Sequence, residues 1–292
     1  MIRYIPVVFL CAATLTAQDQ IQQARKLNAE GKQALALALY EEVLAKTPES
    51  YDANLGAGVV LDLDGQYAKA RKYLTKAIAV APEKSKPQAL TAMAISYAFS
   101  GDCANSSRYE QQVLDLRVSA QDWNAAAEAA NEAGRLCLES SSIDEAEKWY
   151  KTGHEMALKK PDLSAAETDL WTLRWEHAQA RIAARRGDQA EAQKHVAAAR
   201  ALLDKGAIPE QAPFFPYLKG YVAFYAGDYK AALEELKQAN QNDPFILCLL
   251  GQTYEKLGKK EEAVECYRKA SRAISHNPAA AYAVPFARKK LA

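Results

Sequence analysis

Small and apolar residues recur along the chain at fixed intervals, with polar residues between them. From Gly56 to Pro82 they fall at steps of seven, five, seven and five, and the same steps return far downstream. The two matching sets are Gly58, Gly65, Ala70, Ala77 and Pro82, and Gly220, Gly227, Ala232, Ala239 and Pro244. No segment alternates long enough to predict a sheet. The pattern therefore predicts paired helices throughout.

Each position in this interval has a physical reason. Two antiparallel helices approach closely only where side chains are small, so Gly58 and Ala70 are expected to face each other across one pair. Gly65 lies between the two periodic segments, where a left-handed residue ends a helix at little cost. Pro82 cannot continue a helix and is expected to mark the end of the second one.

Aligning the turns between paired helices gives seven units, with turns at Gly31, Gly65, Gly101, Ser141, Gly187, Gly227 and Gly258. Ser141 replaces the turn glycine in the fourth unit, and the central units are longer than the outer ones. A last helix is predicted over 278–291, where it would cap the stack. The predicted divisions are 1–17, then units one to three at 18–120, four and five at 121–206, six and seven at 207–277, and the cap at 278–292.

The unit near the C-terminus resembles a known repeat. Leu250-Gly251-x-x-Tyr254 is followed by Gly258, then by Ala263-x-x-x-Tyr267 and Ala270. This pattern is similar to the tetratricopeptide repeat, a helix–turn–helix unit of 34 residues. The resemblance covers nearly all of the chain after its first residues. It implies an all-α, right-handed superhelical solenoid of about seven repeats, whose first helices line a concave side.

Candidate binding residues are taken from the first helices of two units. In the sixth unit the groove-facing positions of the family carry five aromatic residues, which suit peptide anchoring: Phe214, Tyr217, Tyr221, Phe224 and Tyr225. In the fifth unit Arg174, His177, Arg181 and Arg185 share one side of a helix and are expected to receive a carboxylate or an acidic segment. The alternatives are core packing for the aromatics, and a solvated face or pairing with Glu128, Asn131 and Arg135 of the fourth unit for the cations. The family's carboxylate clamp is not matched, since Ile21 and Arg25 occupy its positions in the first unit.

The N-terminal residues predict export. Arg3 precedes a nearly continuous apolar run from Ile5 to Ala13, and Ala17-Gln18 is a plausible cleavage point, as in a secretory signal peptide. The run is shorter than the roughly 20 apolar residues that span a bilayer, so no stable membrane insertion is expected after cleavage. A periplasmic or secreted protein follows from this interpretation. The alternative is a hydrophobic first helix of the mature fold.

Charge and cysteine content restrict the function further. The formal net charge is +1, and removal of Arg3 with the signal segment leaves 36 basic and 36 acidic residues, which argues against nucleic-acid binding. An oxidising compartment permits a disulfide between Cys103 and Cys137, with two buried thiols as the alternative. None of the four His residues has metal-ligand spacing to a cysteine, and no cofactor or metal is expected.

The combined interpretation is a non-catalytic scaffold or adaptor of the cell envelope that binds a protein or peptide in its concave groove. No G-x-S-x-G, P-loop or H-E-x-x-H motif indicates an enzyme. The alternative is a module that binds a small molecule or glycan, with Tyr217, Tyr221 and Trp171 or Trp175 as stacking platforms. An enzyme whose site crosses repeats without a local motif is the least favoured candidate.

Overall fold

The computed structural model describes residues 16–292. These residues form fifteen α-helices and no strand. The predicted signal segment 1–17 lies outside the described residues except for its last two. There Thr16 caps the first helix: its side chain accepts from the backbone of Asp19, and the Asp19 carboxylate accepts in return from the backbone of Thr16.

Fourteen of the helices form seven antiparallel pairs. In chain order the pairs are α1 (Ala17–Ala29) with α2 (Gln33–Lys46), α3 (Tyr51–Asp64) with α4 (Tyr67–Val80), α5 (Lys86–Phe99) with α6 (Cys103–Ser119), α7 (Trp123–Glu139) with α8 (Ile143–Ala157), α9 (Ala165–Arg186) with α10 (Gln189–Asp204), α11 (Phe215–Tyr225) with α12 (Tyr229–Leu236), and α13 (Pro244–Lys256) with α14 (Lys260–Ala270). Short 3₁₀ turns at Glu83–Ser85 and Pro209–Phe214 precede α5 and α11, and α15 (Pro278–Leu291) is the last helix.

The turns inside these pairs use the left-handed backbone region. The six predicted turn glycines have φ between 72° and 86°: Gly31, Gly65, Gly101, Gly187, Gly227 and Gly258. In the fourth pair Ser141 adopts φ 65°, so it takes the same conformation without glycine's freedom. The turn geometry is therefore preserved where the sequence signal is lost.

The glycines within the first helices mark close helix contacts. A Cβ atom on Gly58 would lie 2.6 Å from the Leu74 side chain and 3.3 Å from the carbonyl oxygen of Ala70. The same relation, to the residue sixteen positions later, joins Gly134 to Tyr150, Gly220 to Leu236 and Gly251 to Tyr267, at 2.9, 2.6 and 2.6 Å. The regular spacing of these glycines in the sequence therefore corresponds to the points where each second helix contacts its first helix.

The predicted fold class, an all-α repeat solenoid, is confirmed. The core is a series of apolar clusters between consecutive helices, which is the packing expected of stacked repeats. The helix α15 packs on α13 and α14, and it also contacts α5 and α7. Its apolar side chains thus join the last pair of helices to pairs two, three and four.

Over residues 16–292, none of the helices has both the length and the apolar run that crossing a bilayer requires.

Candidate functional site

A cavity of about 550 Å³ lies among the first helices α7, α9, α11 and α13. The 3₁₀ turn Pro209–Phe214 and Pro278, the first residue of α15, complete its edge. Most of its polar wall comes from α7 and α9 and carries Glu128, Asn131, Glu132, Arg135, Arg174, His177 and Arg181. The apolar part of the lining includes Leu173, Leu203, Pro213, Phe214, Phe215 and Ile246. The cavity therefore combines charged and apolar surfaces in one concave site.

The helix α9 is capped at both ends, and its cationic side chains project from a helix with well-defined ends. At its start Ser164 and Glu167 form reciprocal hydrogen bonds, and at its end Gly187 adopts φ 80°. Arg174, His177 and Arg181 all line the cavity, as the shared helix face predicts, whereas Arg185 does not.

The arginines of this face already have partners within the chain. Arg174 lies 2.5 Å from Glu128 of α7, and Arg181 donates to the hydroxyl of Tyr150 over 2.9 Å. Arg185 donates to Ser141 over 2.9 Å and lies 3.7 Å from Glu139. Arg181 is therefore buried although it lines the cavity, and Arg185 lies outside the cavity. Of the pairings given as the alternative, the structure has the one between Arg174 and Glu128.

His177 is an uncharged member of the polar wall. Burial, together with the nearby charges of Arg181 and Arg135, lowers the pKa of His177 well below its usual value. Its ring stacks on Tyr217, with 5.6 Å between ring centroids. His177 thus presents a neutral imidazole rather than the cation that a carboxylate-binding face would need.

The five aromatic residues of the sixth unit are divided between cavity and core. Phe214 is 53% exposed and lines the cavity, as does the partly buried Tyr217. Tyr221 is fully buried and packs against Phe245 of α13 and Tyr225, which is the core packing that the sequence left as the alternative.

Phe224 and Tyr225 also lie outside the cavity, against each other at 5.2 Å between centroids. Trp171, offered as a stacking platform for a small ligand, is buried with the guanidinium of Arg174 above its ring. Tyr221, Phe224, Tyr225 and Trp171 share one physical reason. They lie on helices that have other helices beside them, and their rings fill the space between those helices.

The cavity also contains residues that the sequence analysis did not select as binding groups. Arg135 of α7 lies 3.7 Å from Asp243, the residue that caps α13. The Nε of Arg135 and the hydroxyl of Tyr217 are buried, and neither has a hydrogen-bond partner within residues 16–292. The sequence signal for Arg135 was its position on the same face of α7 as Glu128, whereas Asp243 could be identified only as a helix cap.

Two carboxyl groups near this wall are held in a poorly solvated environment. Burial raises the pKa of Glu132 to about 7, although Arg135 partly opposes that rise. Burial and repulsion by Glu132 raise the pKa of Glu110 well above its usual value. Both oxygens of Glu110 are buried without a hydrogen-bond partner among the described residues. The pair is therefore far more easily protonated than ordinary surface carboxyl groups.

The two cysteines whose pairing the sequence left open form a disulfide. Cys103 at the start of α6 and Cys137 near the end of α7 are joined, with their Cα atoms 4.9 Å apart. Cys248 and Cys266 are free and buried. The disulfide links the third helix pair to the fourth.

Family models identify the repeat type in two parts of the chain. A model described as tetratricopeptide repeat matches residues 27–94, and a second one matches residues 246–277. A TPR repeat-containing protein of Methanocaldococcus jannaschii is 41% identical over 59 residues. That match covers 20% of this chain and 19% of the relative, so the chain aligns with about a fifth of the relative's length.

Solved structures of repeat proteins share the fold at low sequence identity. A tetratricopeptide repeat protein from Parabacteroides merdae superposes with a TM-score of 0.54 at 15% identity, over 93% of this chain and 98% of that one. The TPR-like repeats of a putative kinesin light chain from Podosopora anserina give 0.52 at 18% identity, over 65% and 95%. At these identities the likeness concerns the fold alone.

Proposed function

We propose that the chain is a tetratricopeptide-repeat protein and a non-catalytic scaffold of the cell envelope that holds a segment of a partner protein in the cavity. Tetratricopeptide repeats generally mediate protein–protein interaction, and their proteins are generally non-catalytic. For this chain, the partner segment, the envelope location and the non-catalytic role are all parts of the proposal.

One observation carries the choice of the cavity. An exposed aromatic side chain, Phe214, lines a concave site that also contains polar and charged side chains. Aromatic anchors beside a desolvated polar surface are typical of the energetically dominant part of a protein interface. The Nε–H of Arg135 and the hydroxyl of Tyr217 supply buried donors without acceptors, so they favour a ligand that brings a carbonyl or carboxylate oxygen.

The envelope location is supported by two independent features. The apolar run after Arg3 has the composition of a secretory signal. The Cys103–Cys137 disulfide suits an oxidising compartment, since such bonds are rare where thiols are kept reduced. Mass spectrometry of the envelope fraction tests this proposal by the presence of a chain that begins at Gln18.

The volume of the cavity favours a second candidate. Sites for small molecules and cofactors usually enclose about 300–1,000 Å³ and place a few polar groups among apolar side chains. The cavity, at about 550 Å³, falls in that range. A small polar molecule with an apolar side is therefore the alternative ligand.

A displayed library of random peptides separates the two candidates. The full chain, Phe214→Ser and Leu35→Ser are used as bait, where Leu35 is 58% exposed on α2 and serves as the matched control. The peptide proposal expects selected peptides to bind Phe214→Ser at least tenfold more weakly and Leu35→Ser unchanged. Peptides that bind all three baits equally contradict it.

Native mass spectrometry of the protein purified from its host tests the second candidate. A small-molecule adduct that is present on the full chain and on Leu35→Ser, but lost from Phe214→Ser, would favour a small-molecule site. The same result, together with no selected peptides, would reject the peptide proposal.

A further inference from the structure

The last helix occupies the interior of the superhelix rather than only covering its end. On one side of α15, Ala283 and Ala287 pack with residues of α13 and α14. On the other side, Ala280, Ala281 and Val284 are buried with residues of α3, α5 and α7, namely Leu63, Ile95, Ala98, Phe99 and Leu136. Since α3, α5 and α7 are first helices, α15 lies on the face that stacked repeats present to ligands.

A buried polar contact holds the segment before this helix. His276 Nε2, in the segment before α15, lies 2.9 Å from Oδ2 of Asp62 on α3. The other carboxylate oxygen of Asp62 accepts a hydrogen bond of 2.8 Å from Ser96 on α5. The Asp62 side chain has no exposed surface, so without these two partners its burial would be costly.

A second polar contact fixes the far end of α15. Nη2 of Arg288 donates to the carbonyl oxygen of Leu63 over 2.7 Å. Leu63 belongs to the last turn of α3, where carbonyl groups lack partners within the helix and attract cations. Gly65 ends α3 here, and a Cβ atom added to Gly65 would lie 3.6 Å from Nη1 of Arg288. Contacts at both ends and an apolar middle therefore define a fitted helix-binding surface.

We infer that the concave face of α3, α5 and α7 is a surface for an alanine-rich helix with a basic end, and that α15 occupies it within the same molecule. A partner helix of the same chemistry binds there by replacing α15. This surface is separate from the cavity, and the inference does not rest on the proposed peptide ligand. The two sites meet at Pro278, which begins α15 and also lines the cavity.

The test uses a fluorescent synthetic peptide of residues 276–292 and the full chain in three forms. Val284→Glu places a carboxylate among the apolar side chains of α3, α5 and α7, and Arg288→Ala removes the bond to Leu63 without adding a charge to this surface. Lys289→Ala is the matched control, because Lys289 is an exposed neighbour. Hydrogen exchange followed by mass spectrometry reports the release of residues 278–291.

The inference expects faster exchange of residues 278–291 in Val284→Glu and a peptide affinity at least tenfold higher than for the wild-type chain. Arg288→Ala should increase both the exchange rate and the peptide affinity by a smaller factor. Lys289→Ala should match the wild type in both measurements. A peptide carrying Val284→Glu should not bind. If Val284→Glu does not fold, Arg288→Ala decides the question alone. Peptide binding that stays unchanged in a variant with released α15, or exchange that rises in neither variant, overturns the inference.

Discussion

Nη1 of Arg185 donates a hydrogen bond to the hydroxyl of Tyr221 over 3.4 Å. This bond joins the cationic face of α9 to the aromatic row of α11, the two sets of residues that the sequence proposed as partner contacts. The bond lowers the cost of burying both groups, since a buried tyrosine hydroxyl or guanidinium without a hydrogen-bond partner is unfavourable. At this point the two first helices therefore bind each other rather than a ligand.

Tyr221→Ala should strongly destabilise the protein. The side chain is fully buried against Phe245, so its removal leaves a cavity and should lower the free energy of unfolding by about 3–5 kcal/mol. Urea denaturation followed by circular dichroism measures this change. Phe214→Ala, at an exposed ring of the same unit, is the control and should change stability by less than about 1 kcal/mol. Equal effects of the two substitutions would refute the core position of Tyr221.

The contribution of Glu132 to the stability of the protein should fall as pH rises from about 4.5 to 7. Burial raises the pKa of Glu132 from 4.5 to about 7, so within that window the folded chain binds a proton that the unfolded chain has lost. Stabilisation by this group is complete below pH 4.5 and is lost as pH rises through 7. Glu132→Gln should therefore raise the free energy of unfolding at pH 8 by up to about 3 kcal/mol.

Denaturation at a series of pH values checks this expectation. Glu261→Gln is the control, because Glu261 is exposed on α14. Glu110→Gln should act in the same direction, because burial and Glu132 raise the pKa of Glu110 too. A wild-type curve that runs parallel to the Glu132→Gln curve between pH 4.5 and 8 would contradict the prediction.

Reduction of the disulfide should destabilise the folded chain by about 3–4 kcal/mol. Cys103 and Cys137 are 34 residues apart, and opening a loop of that size increases the entropy of the unfolded chain by this amount. The urea midpoint with and without a thiol-free reductant measures the effect. The double variant Cys103→Ser, Cys137→Ser should be insensitive to the reductant, and a wild-type protein equally insensitive would mean that the bond contributes no stability.

The sequence could predict the features that depend on neighbouring residues. The turn at Gly65 and the contact between Gly58 and the second helix involve residues within sixteen positions of each other, and both are present. The contact between His276 and Asp62 spans 214 residues and has no local signal. Which side of α11 is buried depends on how α13 and α9 close around it, so the burial of Tyr221 could not be derived from its helical spacing.

The tight contact between paired helices predicts an unusual effect of alanine at Gly58. Alanine normally stabilises a helix relative to glycine by roughly 0.5–1 kcal/mol. Here its Cβ would lie 2.6 Å from Leu74 and 3.3 Å from the carbonyl of Ala70, so Gly58→Ala should instead cost about 1–3 kcal/mol. A double-mutant cycle with Leu74→Ala isolates the clash, because that change removes the atoms the new methyl group would meet. In the Leu74→Ala background Gly58→Ala should cost much less or stabilise the protein. An equal cost in both backgrounds would mean that Leu74 does not set the close approach of α3 and α4, and that the backbone of α4 around Ala70 limits it instead.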